Sequence, residues 1–448
     1  MTSTRFQRIA LASASLLAAP ALVAAQPAPV PIAATPTVSI PTAGTVSALY
    51  DQFRIQPIWF KGGVPSTALT QLSQILRRAP VDGLASGPQL ADQLDAAVRA
   101  TAGNPAAIKN AEQIASAAWV LYVQTIKRPT TGMLYTYDVL KPQGTRGDQI
   151  LLGTASAPNL STYLTQTAAV NPIYSQIRDA EWARMQAAGT LTPDPRVVAN
   201  LDRARSIPAR GRFILVDSAV QRMTLFDNGV PVDNMKVVVG MPTLPTPLIA
   251  SVMYYVTFNP QWNAPTHLVK NAIAPKTLAG GRKYFDQKGY EVMADWSANS
   301  AVLPFESVDW KAVKAGTIAP RIRQKPGPEN FMGLYKFTFP NSQDIYLHDT
   351  NARNKFDEAD RADSNGCVRV EDAKRFARWL LGREPVSPGT DPEMPVQMPR
   401  GVPIYLTYLT AHPTESGQLA FVKDVYGWDK PGAQVASTYI SPAARAAN

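Results

Sequence analysis

The chain has 448 residues, a formal net charge of +10, 45% hydrophobic and 17% charged residues, and one cysteine. That balance is ordinary for a soluble protein, and the length allows two or three domains with at least one sizeable core. One cysteine excludes an internal disulfide framework. One cysteine with three scattered histidines argues against a metal centre, and the absence of a compact basic stripe interleaved with aromatics argues against nucleic acid.

The first 25 residues read as a removable secretion signal. Arg5 and Arg8 precede an apolar run through Leu16, Leu17, Leu22 and Val23, and small residues precede Gln26. Removing the two arginines takes the charge to +8 (10 − 2), which suits an anionic polymer such as a cell wall and equally suits plain solubility. No later stretch reaches the roughly 18 uninterrupted apolar residues of a membrane span, so no transmembrane segment is expected after cleavage. Residues 26–44, with Pro27, Pro29, Pro31, Pro36 and Pro41, read as an extended tether.

From 46 to about 130 the pattern is helical. Leu69, Leu72, Ile75 and Leu76 share one face, Leu90, Leu94 and Val98 another, and 111–126 is a third helix ended by Pro129. These stripes are core packing. A helical stretch at 173–185 leads almost straight into an apolar run at 212–216, which leaves no room for a further domain between them. From Gly211 short strands take over at 212–217, 223–226, 235–239, 254–258 and 333–339, with Asp227-Asn228-Gly229 as a hairpin turn. Short strands punctuated by Gly and Pro predict a β-sandwich-like domain. The expected class is α+β multidomain: signal 1–25, linker 26–44, helical domain 45–205, β-rich domain 206–430 and tail 431–448.

Cys367 lies in Ser364-Asn365-Gly366-Cys367-Val368-Arg369-Val370, and His348 lies nineteen positions upstream in Asp344-Ile345-Tyr346-Leu347-His348-Asp349-Thr350. An unpaired thiol in a secreted chain is either a small buried hydrophobe or a nucleophile, and composition alone leaves the two readings even. The segment ending at His348 reads as a strand with Tyr346 and His348 on one face. Residues 351–363 read as a loop, and a helix with Phe376, Trp379 and Leu380 on its apolar stripe follows Cys367 and stops at Gly382. A helix N-terminus close behind Cys367 is expected to help lower the thiol pKa.

In attack on an amide, Cys367 would be the nucleophile and His348 the base, later the acid. Gly366 and Cys367 N–H groups would bind the oxyanion. Arg369 would hold a carboxylate or form a surface ion pair, and Tyr346 would bond substrate or pack. His412, 45 residues after Cys367, is a rival base in the Cys-before-His order of papain-like peptidases. His267 reads as a surface residue.

The cysteine box and the block around His348 resemble those of the YkuD-type L,D-transpeptidases. The large periplasmic YcbB-like group is more similar still, through Thr246-Pro247, Asn259-Pro260-Gln261-Trp262-Asn263-Ala264-Pro265, Arg323-Gln324-Lys325-Pro326-Gly327-Pro328, Val402-Pro403-Ile404-Tyr405-Leu406-Thr407-Tyr408 and Asp424-Val425-Tyr426-Gly427. The segment 50–60 resembles the start of that group's helical scaffold domain. The resemblance implies a YkuD-type catalytic domain with a capping insertion at 266–332, no cofactor, and a periplasmic, wall-associated protein. The implied partners are peptidoglycan stem peptides and carbapenem inhibitors. The implied reaction is 3-3 cross-linking through an acyl-enzyme on Cys367 with His348 transferring the proton. Tyr346, Arg369, Ser364, Asn365 and Trp262 are the substrate-binding candidates. Asn365 departs from the histidine usual in the family. L,D-carboxypeptidase activity and attachment of an envelope protein to peptidoglycan share the same acyl-enzyme, and a non-catalytic wall-binding protein is the reading from another class.

Overall fold

The computed structural model describes residues 43–297, 299–430 and 433. The expected signal peptide, the linker up to residue 42 and the tail beyond 430, apart from residue 433, lie outside the described residues. No helix among those described is long and apolar enough to cross a membrane.

The first part of the chain is helical: α1 (Ala43–Phe53), a two-rung ribbon β1 (Phe60–Lys61) and β2 (Val64–Pro65), α2 (Ala68–Arg78), α3 (Gly87–Arg99), α4 (Pro105–Ile126), a short strand β3 (Leu134–Tyr135), then α5 (Gly147–Ala155), α6 (Leu160–Ala169), α7 (Pro172–Ala188) and α8 (Pro195–Ala204). Three of these starts share one chemistry. Asn104, Asn171 and Asp194 each precede a proline, and each side chain accepts from backbone N–H groups of the first turn. Proline at the first helical position gives up a donor that would have no partner there anyway. The stripe on α2 is buried as expected. On α3 the buried face is centred on Ala91 and Leu94, whereas Leu90 and Val98 are half-buried.

Helix α4 carries a buried carboxylate. Glu112 accepts from the N–H groups of Ile58 (2.6 Å), Trp59 (3.0 Å) and Phe60 (3.1 Å) and from the Tyr50 hydroxyl (2.7 Å). Burial raises its pKa and these donors oppose the shift. One side chain therefore satisfies three backbone donors of a segment that has almost no regular structure of its own.

The β-rich part contains β4 (Phe213–Asp217), β5 (Arg222–Asp227), β6 (Val230–Gly240), β7 (Ile249–Phe258), β8 (Trp262–Asn263), α9 (Thr266–Leu268), α10 (Ala274–Gln287), β9 (Tyr290–Met293), β10 (Val302–Leu303), α11 (Trp310–Ala315), β11 (Arg321–Gln324), β12 (Tyr335–Thr338), β13 (Tyr346–His348), β14 (Ala362–Ser364), β15 (Val368–Val370), α12 (Ala373–Leu381), β16 (Met394–Thr407), β17 (Ala411–Pro413) and β18 (Leu419–Phe421). The hairpin between β5 and β6 turns on Asn228 (φ 51°) and Gly229 (φ 80°), with Asp227 opposite Val230. Both central residues at positive φ match a type I′ turn, which is why Asn-Gly marks it.

The large sheet runs β12-β13-β15-β6-β5-β4-β16-β7 and returns on itself through β7–β12 pairing. The sandwich-like expectation is thus realised as one mixed sheet curled into a barrel-like ring. Strand β4 shows both faces at once. Ile214 and Val216 enter the inner core with Phe376 and Leu380 of α12, while Phe213 and Leu215 join an outer core with Tyr174 of α7 and Leu201 of α8. A strand covered on both faces reads as a continuous apolar run. The ion pair between Arg203 and Asp429 is buried across the same outer seam. The expected boundary near 205 falls after α8, yet this core packs across it.

Residues 262–324 fold around a small core of their own, with Val269, Phe285, Val292, Trp310 and Ile322, beside a sheet ordered β10-β9-β11-β8. This unit begins at Trp262, ahead of the expected insertion at 266.

Replacing Glu112 by Ala leaves its donors buried without an acceptor, a loss of about 3 kcal/mol. Glu112→Gln, which keeps one acceptor oxygen, loses less. Denaturant unfolding that finds Glu112→Ala within about 1 kcal/mol of the parent would show that water replaces the carboxylate.

Candidate active site

Strands β13 and β15 run parallel, with Leu347 paired to Val368 and His348 to Arg369. Paired residues in a sheet project to the same side, and alternate residues to opposite sides. Leu347, Val368 and Val370 are fully buried in the inner core. The opposite side therefore carries Tyr346 and His348 on β13, with Arg369 and, one position before β15, Cys367. The Tyr346 ring meets the His348 ring edge-on, with centroids 5.7 Å apart. The expectation that alternation groups Tyr346 with His348 holds, and the parallel register adds Cys367 and Arg369.

His348 is buried, and Nδ1 donates to the Asp349 carbonyl at 2.5 Å. That bond places the ring proton on Nδ1 and leaves Nε2 with its lone pair. Burial, then the Arg369 charge, hold the imidazole pKa down to about 3. Asp349 is fixed in turn: its carboxylate accepts from the Leu334 N–H (2.8 Å) and from Arg353 (2.6 Å).

Burial pushes the Cys367 thiol up to about 11, against hydrogen bonds from the main chain and side chain of Tyr346 and against the Arg369 charge. Its Sγ lies 3.8 Å from the Asp344 carbonyl. The expected help from a helix N-terminus is overturned. The residues read as a short link are strand β15, and the N-cap of α12 is Asp372, five positions on. A helix end acts within about one turn. At neutral pH the thiol and the imidazole are both neutral.

One further expectation is corrected. The Gly366 N–H donates to Ser364 Oγ (3.1 Å), so it is spent inside the box and is not an oxyanion donor at rest. What Gly366 supplies is its backbone: φ is +110°, a conformation L side chains rarely adopt. Ser364 is buried, and its hydroxyl donates to the Cys367 carbonyl at 2.5 Å. It braces the turn.

The sequence reading gave Thr246, Tyr426 and Asp349 no role. Thr246 Oγ1 donates to the Gly366 carbonyl (2.8 Å) and accepts from the Gly240 N–H (2.9 Å), and the Tyr426 hydroxyl donates to the Gly240 carbonyl (2.7 Å). The signal was present, since all three residues lie in the family-like motifs, but only the fold brings residues 246, 366 and 426 together. Trp262 stands apart on β8, edge-on to Phe331 at 5.0 Å. Asn365 Oδ1 accepts from His267 Nε2 at 3.2 Å. His412, the rival base, lies on β17 with Nε2 donating to the Leu409 carbonyl (2.6 Å) and the Asp217 carboxylate 3.8 Å away.

Residues 211–398 match the sequence profile of the L,D-transpeptidase catalytic domain, YkuD, and residues 44–180 match that of the Scaffold domain. The chain therefore carries a YkuD L,D-transpeptidase catalytic domain and a Scaffold domain. It is 27% identical over 321 residues to a Haemophilus influenzae protein named "Putative L,D-transpeptidase", covering 70% of this chain and 64% of that relative's length. Among solved structures it resembles the Ldtfm-avibactam carbamoyl enzyme (11% identity, 45% of this chain and 50% of the other, TM-score 0.23) and the L,D-transpeptidase from Mycobacterium smegmatis (10%, 44% and 59%, TM-score 0.23). At those scores the structural likeness carries no argument.

A neutral resting thiol has a pH signature. Below its pKa the thiolate fraction rises tenfold per unit, and the thiolate is the reacting form. Alkylation of Cys367 by iodoacetamide should therefore rise by about tenfold per unit from about pH 7 to about pH 10. A rate already flat at neutral pH would reveal a preformed thiolate–imidazolium pair.

Proposed function

We propose that this protein is a peptidoglycan L,D-transpeptidase that forms 3-3 cross-links through an acyl-enzyme on Cys367, acting in the periplasm. The observation that carries the reading is the shared face of β13 and β15, where Cys367 and His348 stand together with Tyr346 and Arg369.

His348 Nε2 takes the thiol proton as Sγ attacks the carbonyl carbon of the donor stem's scissile amide. The carbonyl electron pair moves to oxygen, and the Cys367 N–H is the donor assigned to that oxyanion. Collapse breaks the C–N bond. The proton on Nε2 passes to the leaving amine, and the acyl group remains on sulfur as a thioester. An amine of a neighbouring stem then attacks and gives its proton to Nε2; the C–S bond breaks as the new amide forms, and the departing thiolate takes that proton back from Nε2. The depressed imidazole pKa keeps the base unprotonated before attack. The raised thiol pKa preserves intrinsic nucleophilicity once the proton is gone, because nucleophilicity rises with pKa. Arg369 supplies fixed positive charge for a stem carboxylate. The neutral dyad implies that thiolate forms only as the substrate is attacked.

Cys367→Ala should abolish acylation and turnover of disaccharide-tetrapeptide while leaving the folded spectrum unchanged. His348→Ala should lose about 10²–10⁴-fold in rate, and His412→Ala should change little. Product masses decide the acceptor. Cross-linked dimers support transfer, whereas tripeptide alone identifies L,D-carboxypeptidase activity. The reverse ranking of the two histidines would falsify the assignment of the base.

Carbapenems should form a one-to-one adduct on Cys367, seen by intact-protein mass. No adduct under conditions that label another YkuD-family enzyme would mean that the site is closed to acylating ligands.

A further inference from the structure

His267 and Asn365 are 98 positions apart, on the cap and in the cysteine box, and they are hydrogen-bonded at 3.2 Å. Asn365 is followed directly by Gly366 and Cys367. The cap has its own core and its own small sheet, so its seating depends on how it is tied to the segments beneath. Two hydrogen bonds among the described residues run from residues 266–332 to the segments bearing His348 and Cys367. One is His267 Nε2 to Asn365 Oδ1. The other is Asn351 Nδ2 to the Glu329 carbonyl at 3.1 Å, and Gln324 Nε2 donates to that same carbonyl at 2.8 Å. The two ties sit at opposite ends of the insertion. One lands two positions before the candidate nucleophile, the other three positions after the candidate base.

We infer that His267 is a positioning residue: by holding the Asn365 side chain it fixes the Gly366–Cys367 turn whenever the cap is seated, so cap docking and alignment of the thiol are one event. The opposite side of the turn is already clamped through Thr246 on the Gly366 carbonyl and Ser364 on the Gly366 N–H and Cys367 carbonyl. The Asn365 side chain points to the cap and takes its partner from there. A turn clamped on one side by its own domain and on the other by a separable unit has its alignment coupled to that unit's position. The inference rests on the proposed transpeptidase reaction for its kinetic consequence, but not for its structural one.

The test compares His267→Ala, Asn365→Ala, the double variant and His267→Gln in the full chain. Turnover of disaccharide-tetrapeptide should fall by about three- to tenfold in each single variant, the range of one hydrogen bond. KM should stay within about twofold, because alignment rather than binding is lost. The double variant should be no slower than the slower single, since the two changes break the same bond. His267→Gln keeps an N–H donor and should recover most of the rate. Independently of activity, hydrogen exchange should be reciprocal: His267→Ala deprotects residues 364–367, and Asn365→Ala deprotects residues 266–273. Additive losses in the double variant, or loosening confined to each variant's own segment, overturn the inference. A parent protein that turns over no muropeptide sinks the proposed function instead, and the reciprocal exchange then decides the inference alone.

Discussion

The parallel pairing of β13 with β15 is the constraint on which the site depends. Two strands joined in the same direction need a long connection, and residues 349–367 supply it. Arg361 fastens that connection to the sheet. Its N–H meets the Gln221 side chain at 2.6 Å, and its guanidinium reaches the Val237 and Gln221 carbonyls. A slip of one residue reverses every side chain of the strand that moves. If β15 slips, Val368 and Val370 turn away from the core and Arg369 turns into it; if β13 slips, Leu347 gives way to His348. The apolar inner face thus fixes the register, and the register fixes the chemistry on the other face. The hydrophobic core selects that geometry, and Cys367 packs partly against it.

Burial sets the protonation states. Desolvation disfavours both imidazolium and thiolate, and at His348 it acts together with Arg369. At Cys367 the same arginine and the Tyr346 hydrogen bonds oppose burial without overcoming it. Arg369 therefore pulls both groups toward their basic forms. The result is a neutral thiol and a neutral imidazole, with the Arg369 charge acting on both.

Much of the fold was legible because it rests on local chemistry. Asn228-Gly229 wrote the hairpin, the run at 212–217 wrote a strand, and Gly382 wrote the stop of α12, where φ is 68°. Alternation was enough to place Tyr346 with His348. The ring closure by β7 and β12 was not legible, since residues 258 and 335 meet across an intervening unit. The resemblance implied an insertion at 266–332, but its internal elements escaped. Pro275 and the Gly280-Gly281 pair mask the helical pattern of α10, and Gly281 adopts φ 62° inside it. Helix α8 was missed, although Asp194-Pro195 carries its capping signal. Gly366 was misread for a different reason. A glycine beside a thiol suggests an oxyanion donor, but which way its N–H points depends on the Ser364 hydroxyl two residues earlier.

Tyr426 gives the architecture an order in time. It stands behind the loop that stands behind Gly366, through Gly240 and Thr246, and it is translated almost sixty residues after the cysteine. A chain emerging from its N-terminus has Cys367 long before it has the tyrosine that completes the support. During that interval the thiol belongs to an unfinished turn. The support behind the Gly366–Cys367 turn is therefore complete only when residues 240, 246, 366 and 426 have all met.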